Sequence, residues 1–173
     1  MAVTKALQDK GVLSEETPCI KWPNDIVIHK KKICGILTEL GLEKTEVGYV
    51  IIGIGINVTN QTFPEELAQT ASSILSETGK TLDREALIKE IWVAFEFYYK
   101  ILLQTQDLSQ LKEAYEKNLL NKMQQVKVLD PAGSYEGTAV GITKKGELLV
   151  DTENGQKVIS SGEVSVRGIY GYV

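Results

Sequence analysis

Two short runs in this chain combine residue types and spacing that suit polar chemistry on an extended ligand. The first is Lys21-Trp22-Pro23-Asn24-Asp25, with Lys32 following across a turn. Proline sets the backbone just ahead of an amide and a carboxylate, which suits side chains that must hold a position. A plain loop, in which Asn24 and Asp25 bond the local backbone, would use the same residues. The second run is Gly53-Ile54-Gly55-Ile56-Asn57. Alternate side chains of a strand share a face. Gly53, Gly55 and Asn57 therefore point one way, while Val50, Ile52, Ile54 and Ile56 make an opposite face that reads as core. Glycines at i and i+2 leave bare backbone on which a flat ligand can lie, and Asn57 adds an acceptor and donors beside it. The same glycines also suit a bulge or the close approach of a helix.

In the Lys30-Lys31-Lys32 run, Lys32 directly precedes the apolar stretch Ile33-Cys34-Gly35-Ile36-Leu37 and is the lysine expected to point inward. Lys30 and Lys31 are expected to stay in water, as is His29. Simple alternation puts Lys32 on the face opposite Gly35, so a shared site requires a bend or bulge there. Cys34 reads as a small buried side chain rather than a nucleophile. A dinucleotide fingerprint is excluded, because the third glycine is missing and the segment continues as strand.

These residues need elements to carry them. Residues 2–10 suit a helix ended by Gly11. Cys19 to Trp22 is extended, and Pro23-Asn24-Asp25 is a turn cluster. Ile26–Ile28, Ile33–Leu42 and Gly48–Val58 read as an antiparallel three-stranded meander, with turns at His29–Lys32 and Glu43–Val47. Thr62-Phe63-Pro64-Glu65 resembles a capping box opening a short helix over 63–69. Ala71–Ile74 is a loop or helical turn. Asp83 can cap a long helix over 84–103, whose apolar residues, including Trp92, Phe95, Tyr98 and Tyr99, recur at helical spacing as a packing stripe. Asp107 can cap another over 108–120. Five short strands follow, at Val126–Val128, Tyr135–Val140, Leu148–Val150, Lys157–Ile159 and Val164–Val166, which suggests a small barrel. The boundary is expected near Lys122-Met123-Gln124, giving units 1–122 and 123–173.

The 173 residues carry a net charge of −4, with 43% apolar and 24% charged residues, the range of a globular protein. Mild acidity argues against a nucleic-acid surface built on bulk positive charge. Two cysteines and one histidine are too few for a disulfide framework or a zinc site. There is no signal-peptide pattern and no apolar run of membrane-spanning length, so a cytoplasmic protein without membrane contact is expected.

In this order and spacing, Lys21-Trp22-Pro23-Asn24-Asp25, Lys32-Ile33-Cys34-Gly35-Ile36-Leu37-Thr38-Glu39 and Gly53-Ile54-Gly55-Ile56-Asn57-Val58 resemble the biotin–protein ligase family. Its pattern is KWPND, then K-(L/I)-x-G-I-L-x-E, then G-x-G-I-N. Ser161-Gly162-Glu163-Val164-Ser165-Val166-Arg167 resembles its ending. The resemblance implies an α/β (α+β) fold, a mostly antiparallel sheet packed on helices as in class II aminoacyl-tRNA synthetases, followed by an SH3-like barrel. It implies ligation of biotin to a lysine of a biotin carboxyl carrier protein, that of acetyl-CoA carboxylase, through biotinyl-5′-adenylate, with ATP, biotin and Mg²⁺. By resemblance, Lys32 contacts the biotin carboxylate and the α-phosphate, and Asp25 orients or deprotonates the incoming lysine. Asn24 and Asn57 lie near the adenylate, and Gly35, Gly53 and Gly55 line the biotin tail. Residues 60–73 match the adenylate-covering loop. A homodimer through the sheet is also implied. The family's G-R-G-R-x-x-R motif has no counterpart before Lys21, nor is there a helix-turn-helix domain, so no DNA contact is expected. About half of the catalytic sheet is then expected to be absent, the chain being a fragment or truncated gene product or pairing with another chain that supplies the rest. A catalytically inactive binding or assembly remnant, and a lipoate–protein ligase, are the alternative expectations.

Overall fold

The computed structural model describes residues 1–12, 18–43, 46–131, 133–161 and 165–168. Helix α1 (Ala2–Asp9) buries Val3, Ala6 and Leu7, an i, i+3, i+4 stripe, and the chain reverses at Gly11 with φ +72. Strands β1 (Cys19–Lys21), β2 (Asp25–Ile28), β3 (Lys31–Glu43) and β4 (Glu46–Ile56) follow as an antiparallel sheet in sequence order. The expected meander is present, with Cys19–Lys21 as an additional edge strand. The β2–β3 turn is tighter than the reading of His29–Lys32. It uses only His29 and Lys30, at φ 48 and 65, the left-handed pair of a two-residue hairpin. Lys31 and Lys32 are therefore strand residues. Residues 44–45 of the expected second turn lie outside the described residues.

The helical region departs from the sequence reading at three places. Thr62 caps nothing; Pro64 precedes a single 3-10 turn, Glu65–Leu67, with no side-chain cap. A short helix, α2 (Ile74–Thr78), follows the stretch read as a loop or helical turn and covers residues to which no element was assigned, with Ser73 accepting from Ser76 N–H and Gly79 left-handed at its end. Helix α3 (Arg84–Thr105) begins as expected, the Asp83 carboxylate accepting from Ala86 N–H. The helix expected over 108–120 shrinks to α4 (Lys112–Lys117). Asp107 spends its carboxylate on Ser109 N–H, a local turn that competes with helix initiation.

A first core joins α1, β1 to β3, α2 and α3 through Leu7, Ile26, Ile28, Ile33, Ile74 and Leu87, all at most 2% exposed. Val50, Ile52, Ile54 and Ile56 do share one side of β4, but only Ile56 packs against this core; Val50, Ile52 and Ile54 are not core. These residues are 49%, 43% and 39% exposed. With Ile88, Trp92 and Phe95 of α3 they line an open groove of about 420 Å³. The aromatic stripe of α3 is likewise only partly packed. Leu87, Ile91 and Ala94 are buried, whereas Trp92 and Tyr99 are exposed.

The second core belongs to an antiparallel barrel sheet: β5 (Gln124–Leu129), β6 (Tyr135–Ile142), β7 (Leu148–Thr152), β8 (Gly155–Ile159) and β9 (Ser165–Gly168), in the order β8-β7-β6-β5-β9. All five expected strands are present, although Val164 lies outside the described residues. Trp22 belongs to this second core, packed with Val126, Val128 and Ile142, and its indole N–H donates to Gly146 O at 2.9 Å. The turn before Asp25 is thereby anchored on the barrel.

Glu116 of α4 makes a second tie. Its carboxylate accepts from Lys122 Nζ at 2.8 Å and from Ile142 N–H at 3.0 Å. Burial alone would raise this carboxyl, but those hydrogen bonds and the Lys122 and Lys112 charges outweigh it and hold the group below its usual range. A depressed carboxyl stabilises the fold above its unfolded pKa, about 4.3 for glutamate, and that stabilisation is lost as pH falls through the lower folded value. Glu116→Gln is expected to be less stable at neutral pH and to lose less stability on acidification, read as urea midpoints at pH 7 and pH 4.

Candidate active site

Of the bend or bulge that the sequence requires, the structure has a bulge. Between β2 and β3, Ile26 pairs with Cys34 but Val27 pairs with Lys32, so Ile33 is the extra residue. That shift turns Lys32 onto the side of Gly35. A methyl group placed on Gly35 would lie 3.0 Å from Lys32 Nζ, so absence of a side chain there is what gives the ammonium its position. Lys32 Nζ is 2.6 Å from Asp25 Oδ1. Asp25 reaches this point because it opens β2 directly after the turn anchored by Trp22, with its Cα partner being Gly35.

Gly55 lies opposite Gly35 in the β3–β4 ladder, and Gly53 lies opposite Leu37. A side-chain carbon built on Gly55 or Gly53 would meet only a backbone oxygen, at 3.9 and 3.8 Å. The expected bare strip is therefore open space. Beside it lies a cavity of about 690 Å³, lined by Lys32, Gly35, Gly55 and Asn57, with Phe63, Pro64 and Leu67 among its apolar walls. A smaller opening touches Asn24, Lys32, Gly35, Gly53 and Gly55. All seven residues singled out in the sequence thus gather around one stretch of β2, β3 and β4.

Their side chains are not equally free. Asn24 donates its amide to Ile36 O at 2.7 Å, and Ile36 N–H donates back to Asn24 O. Asn57 donates to Ser72 O at 3.0 Å, which pins the segment after the 3-10 turn against β4. Lys32 N–H donates to Thr70 O, and Ser72 N–H donates to Lys32 O. Residues 60–73 therefore do border the cavity. Cys34 is buried, and burial pushes its thiol up to about 12, so it is no nucleophile near neutral pH.

Sequence reasoning missed three participants. Lys21 is only 6% exposed, and burial holds its ammonium below the usual range, with Asp25 opposing that shift and Lys32 adding to it. Two cations thus share the Asp25 carboxylate's field. Ser72 and Glu77 bind the cavity wall from behind. The His29 and Lys31 side chains stay in water as expected, 41% and 43% exposed, yet both also reach Glu77, with His29 Nδ1 2.9 Å and Lys31 Nζ 3.5 Å from its carboxylate. The partners lie 48 residues apart for His29 and Glu77, so no local spacing announces them.

An α/β domain that holds a cation over a side-chain-free strip, with an SH3-like barrel behind it, is the class that fold and site define. Residues 1–57 match the family described as biotin/lipoate A/B protein ligase, and residues 124–167 match the biotin protein ligase C terminal domain. The bifunctional ligase/repressor BirA of Bacillus subtilis is 36% identical over 168 residues, covering 96% of this chain and 50% of that protein. Biotin–[acetyl-CoA-carboxylase] ligase of Mycobacterium tuberculosis is 30% identical, covering 84% of this chain and 52% of its own length. The structure of a biotin protein ligase from Aquifex aeolicus in complex with biotin and ATP superposes with a TM-score of 0.81 at 33% identity, covering 96% of this chain and 68% of that one. This chain belongs to the biotin protein ligase family. It spans about half the length of the curated relatives it matches.

Proposed function

We propose that these residues supply one side of a biotin–protein ligase site. That site would join biotin to ATP as biotinyl-5′-adenylate and pass the biotinyl group to a lysine of an acetyl-CoA carboxylase carrier protein. The observation that carries this reading is the Lys32 ammonium held by Asp25 against the Gly35–Gly55 strip. In the first step a carboxylate attacks a phosphate, and two anions must meet. A fixed cation in a partly water-excluded cavity lowers that repulsion far more than one in bulk solvent. The glycine strip would take the flat body of biotin, and the Asn57 wall would face the adenylate. Lys32 swings from Asp25 to the phosphate when substrate arrives, which leaves the Asp25 carboxylate to orient the attacking lysine or take its proton. Among the described residues no set of three His, Cys, Asp or Glu side chains could hold a metal ion. Mg²⁺ would then enter on the ATP phosphate oxygens it favours.

The sequence given holds no arginine before Lys21. The anionic half of the ligands therefore calls for the arginine-rich loop that the resemblance implies, borne on a further segment or a separate chain. The open groove between β4 and α3 supports this, because solvent-facing Val50, Ile52 and Ile54 are the surface that such a segment would cover. The 1–122 and 123–173 division is retained, with Trp22 and Glu116 tying the first unit to the second. Biotin is preferred to lipoate because the relatives named above are biotin ligases. No helix among the described residues is long and apolar enough to cross a membrane, and a cytoplasmic site of action is proposed. A homodimer through the sheet is part of the same reading, checked by sedimentation.

The test is to mix this chain with the arginine-loop half, add ATP and either biotin or lipoate, and detect the adenylate by mass. Biotinyl-adenylate from the mixture, and none from this chain alone, is expected. Product from the chain alone would remove the need for a second half, and lipoyl-adenylate would move the assignment to lipoate.

A further inference from the structure

Glu77 does not line the cavity, yet it touches both segments that build it. It sits on α2, where one carboxylate oxygen accepts from Ser72 Oγ at 2.5 Å and the other lies 2.9 Å from His29 Nδ1. Lys31 Nζ adds a contact at 3.5 Å. His29 is the first residue of the β2–β3 turn and Lys31 the first residue after it, next to Lys32. Ser72, 4% exposed, lies between the two polar site residues of the cavity wall: its N–H donates to Lys32 O and its carbonyl accepts from the Asn57 side chain. Burial by itself would raise the Glu77 carboxyl, but the Ser72 and His29 hydrogen bonds and the Lys31 charge outweigh it and keep the group below its usual range.

We infer that Glu77 is a positioning residue: through Ser72 it locks the 60–73 segment to the Lys32 hairpin and fixes Lys32 and Asn57 relative to each other. The inference rests on the ligase reading for its consequence, though the lock itself does not. In a packed site, displacement of a reacting group by a fraction of its own size costs rate without any change in ligand contacts.

Amide exchange in the 173-residue chain, followed by NMR, tests the lock without any activity. Glu77→Ala is expected to speed exchange at Lys32 and Ser72 by about tenfold, as for loss of one hydrogen bond. Glu77→Gln keeps the acceptor for Ser72, and its amide N–H can donate to His29 once Nδ1 is unprotonated, so it is expected to restore the slow rates. Ser72→Ala should reproduce Glu77→Ala, and the double variant should be no worse than either, since both break one connection. In the mixture with the arginine-loop half, Glu77→Ala is expected to lower kcat for adenylate formation about tenfold at an unchanged KM for biotin, with Gln restoring it. Unchanged exchange in Glu77→Ala, additive damage in the double variant, or a Gln variant as impaired as Ala would each overturn the inference. If the unmodified mixture makes no adenylate, the ligase reading falls while the exchange rates still judge the lock.

Discussion

Lys32→Met is expected to cut biotinyl-adenylate formation by about a hundredfold to a thousandfold in the presence of the arginine-loop half. This is the usual loss when a charge-stabilising group is removed from a water-poor site, roughly 3 kcal/mol of transition-state stabilisation. Lys30→Met is the matched control. Lys30 is exposed and sits in the turn at φ 65, whereas Lys32 is bonded to Asp25 against Gly35. The first variant should lose kcat/KM far beyond its modest loss of melting temperature, which follows from leaving the buried Asp25 carboxylate with Lys21 alone; the control should keep both. Equal loss in the two would mean that the run acts by bulk positive charge, and the bulge at Ile33 would have no catalytic meaning.

Asp25→Asn carries the second large effect, on stability as well as on activity. The native carboxylate is 7% exposed, faces Lys32 directly and raises the pKa of Lys21, which is itself 6% exposed. Removing one member of a fully buried ion pair costs several kcal/mol. Lys32 is 39% exposed on its side chain, and solvent screens its share. A loss of about 2 kcal/mol near pH 7 is therefore expected. The pH dependence has a definite sign. Burial already holds Lys21 below its usual 10.5, and loss of Asp25 lowers it further. Between the folded and unfolded pKa the unfolded chain binds more protons, so stability rises with pH through that window. Urea midpoints for Asp25→Asn should thus recover towards the native value as pH approaches 10.5, the unperturbed lysine value. A deficit that stays constant over this range would show that Lys21 does not depend on this carboxylate.

Much of the site was legible because strand geometry is periodic. The parity of Gly53, Gly55 and Asn57, and the bulge needed to bring Lys32 beside Gly35, follow from side-chain alternation alone, and β2–β3 pairing bears out the bulge. The same parity grouped Val50, Ile52 and Ile54 correctly but misjudged their burial. Alternation says which residues share a face and nothing about what covers it. Trp92 and Tyr99 were misjudged for the same reason. Helix α2 escaped because five residues are too few to show a period. Its signals were Ser73 and Gly79, a cap at each end. Asp107 was read as a cap, but its carboxylate closes a local turn, an outcome the residue type cannot distinguish. Trp22 read as part of a polar motif and proves to be a barrel core residue, since its partners lie about a hundred positions away in the chain.

The measurement that bears most directly on the central claim is biotin-dependent exchange of labelled pyrophosphate into ATP. It would be run with this chain and the arginine-loop half, each confirmed as folded. Exchange that requires both halves and biotin, and disappears with Lys32→Met, is the expected result. Exchange of equal rate with Lys32→Met, or none from two folded halves, would contradict the assignment of adenylate chemistry to the lysine over the glycine strip.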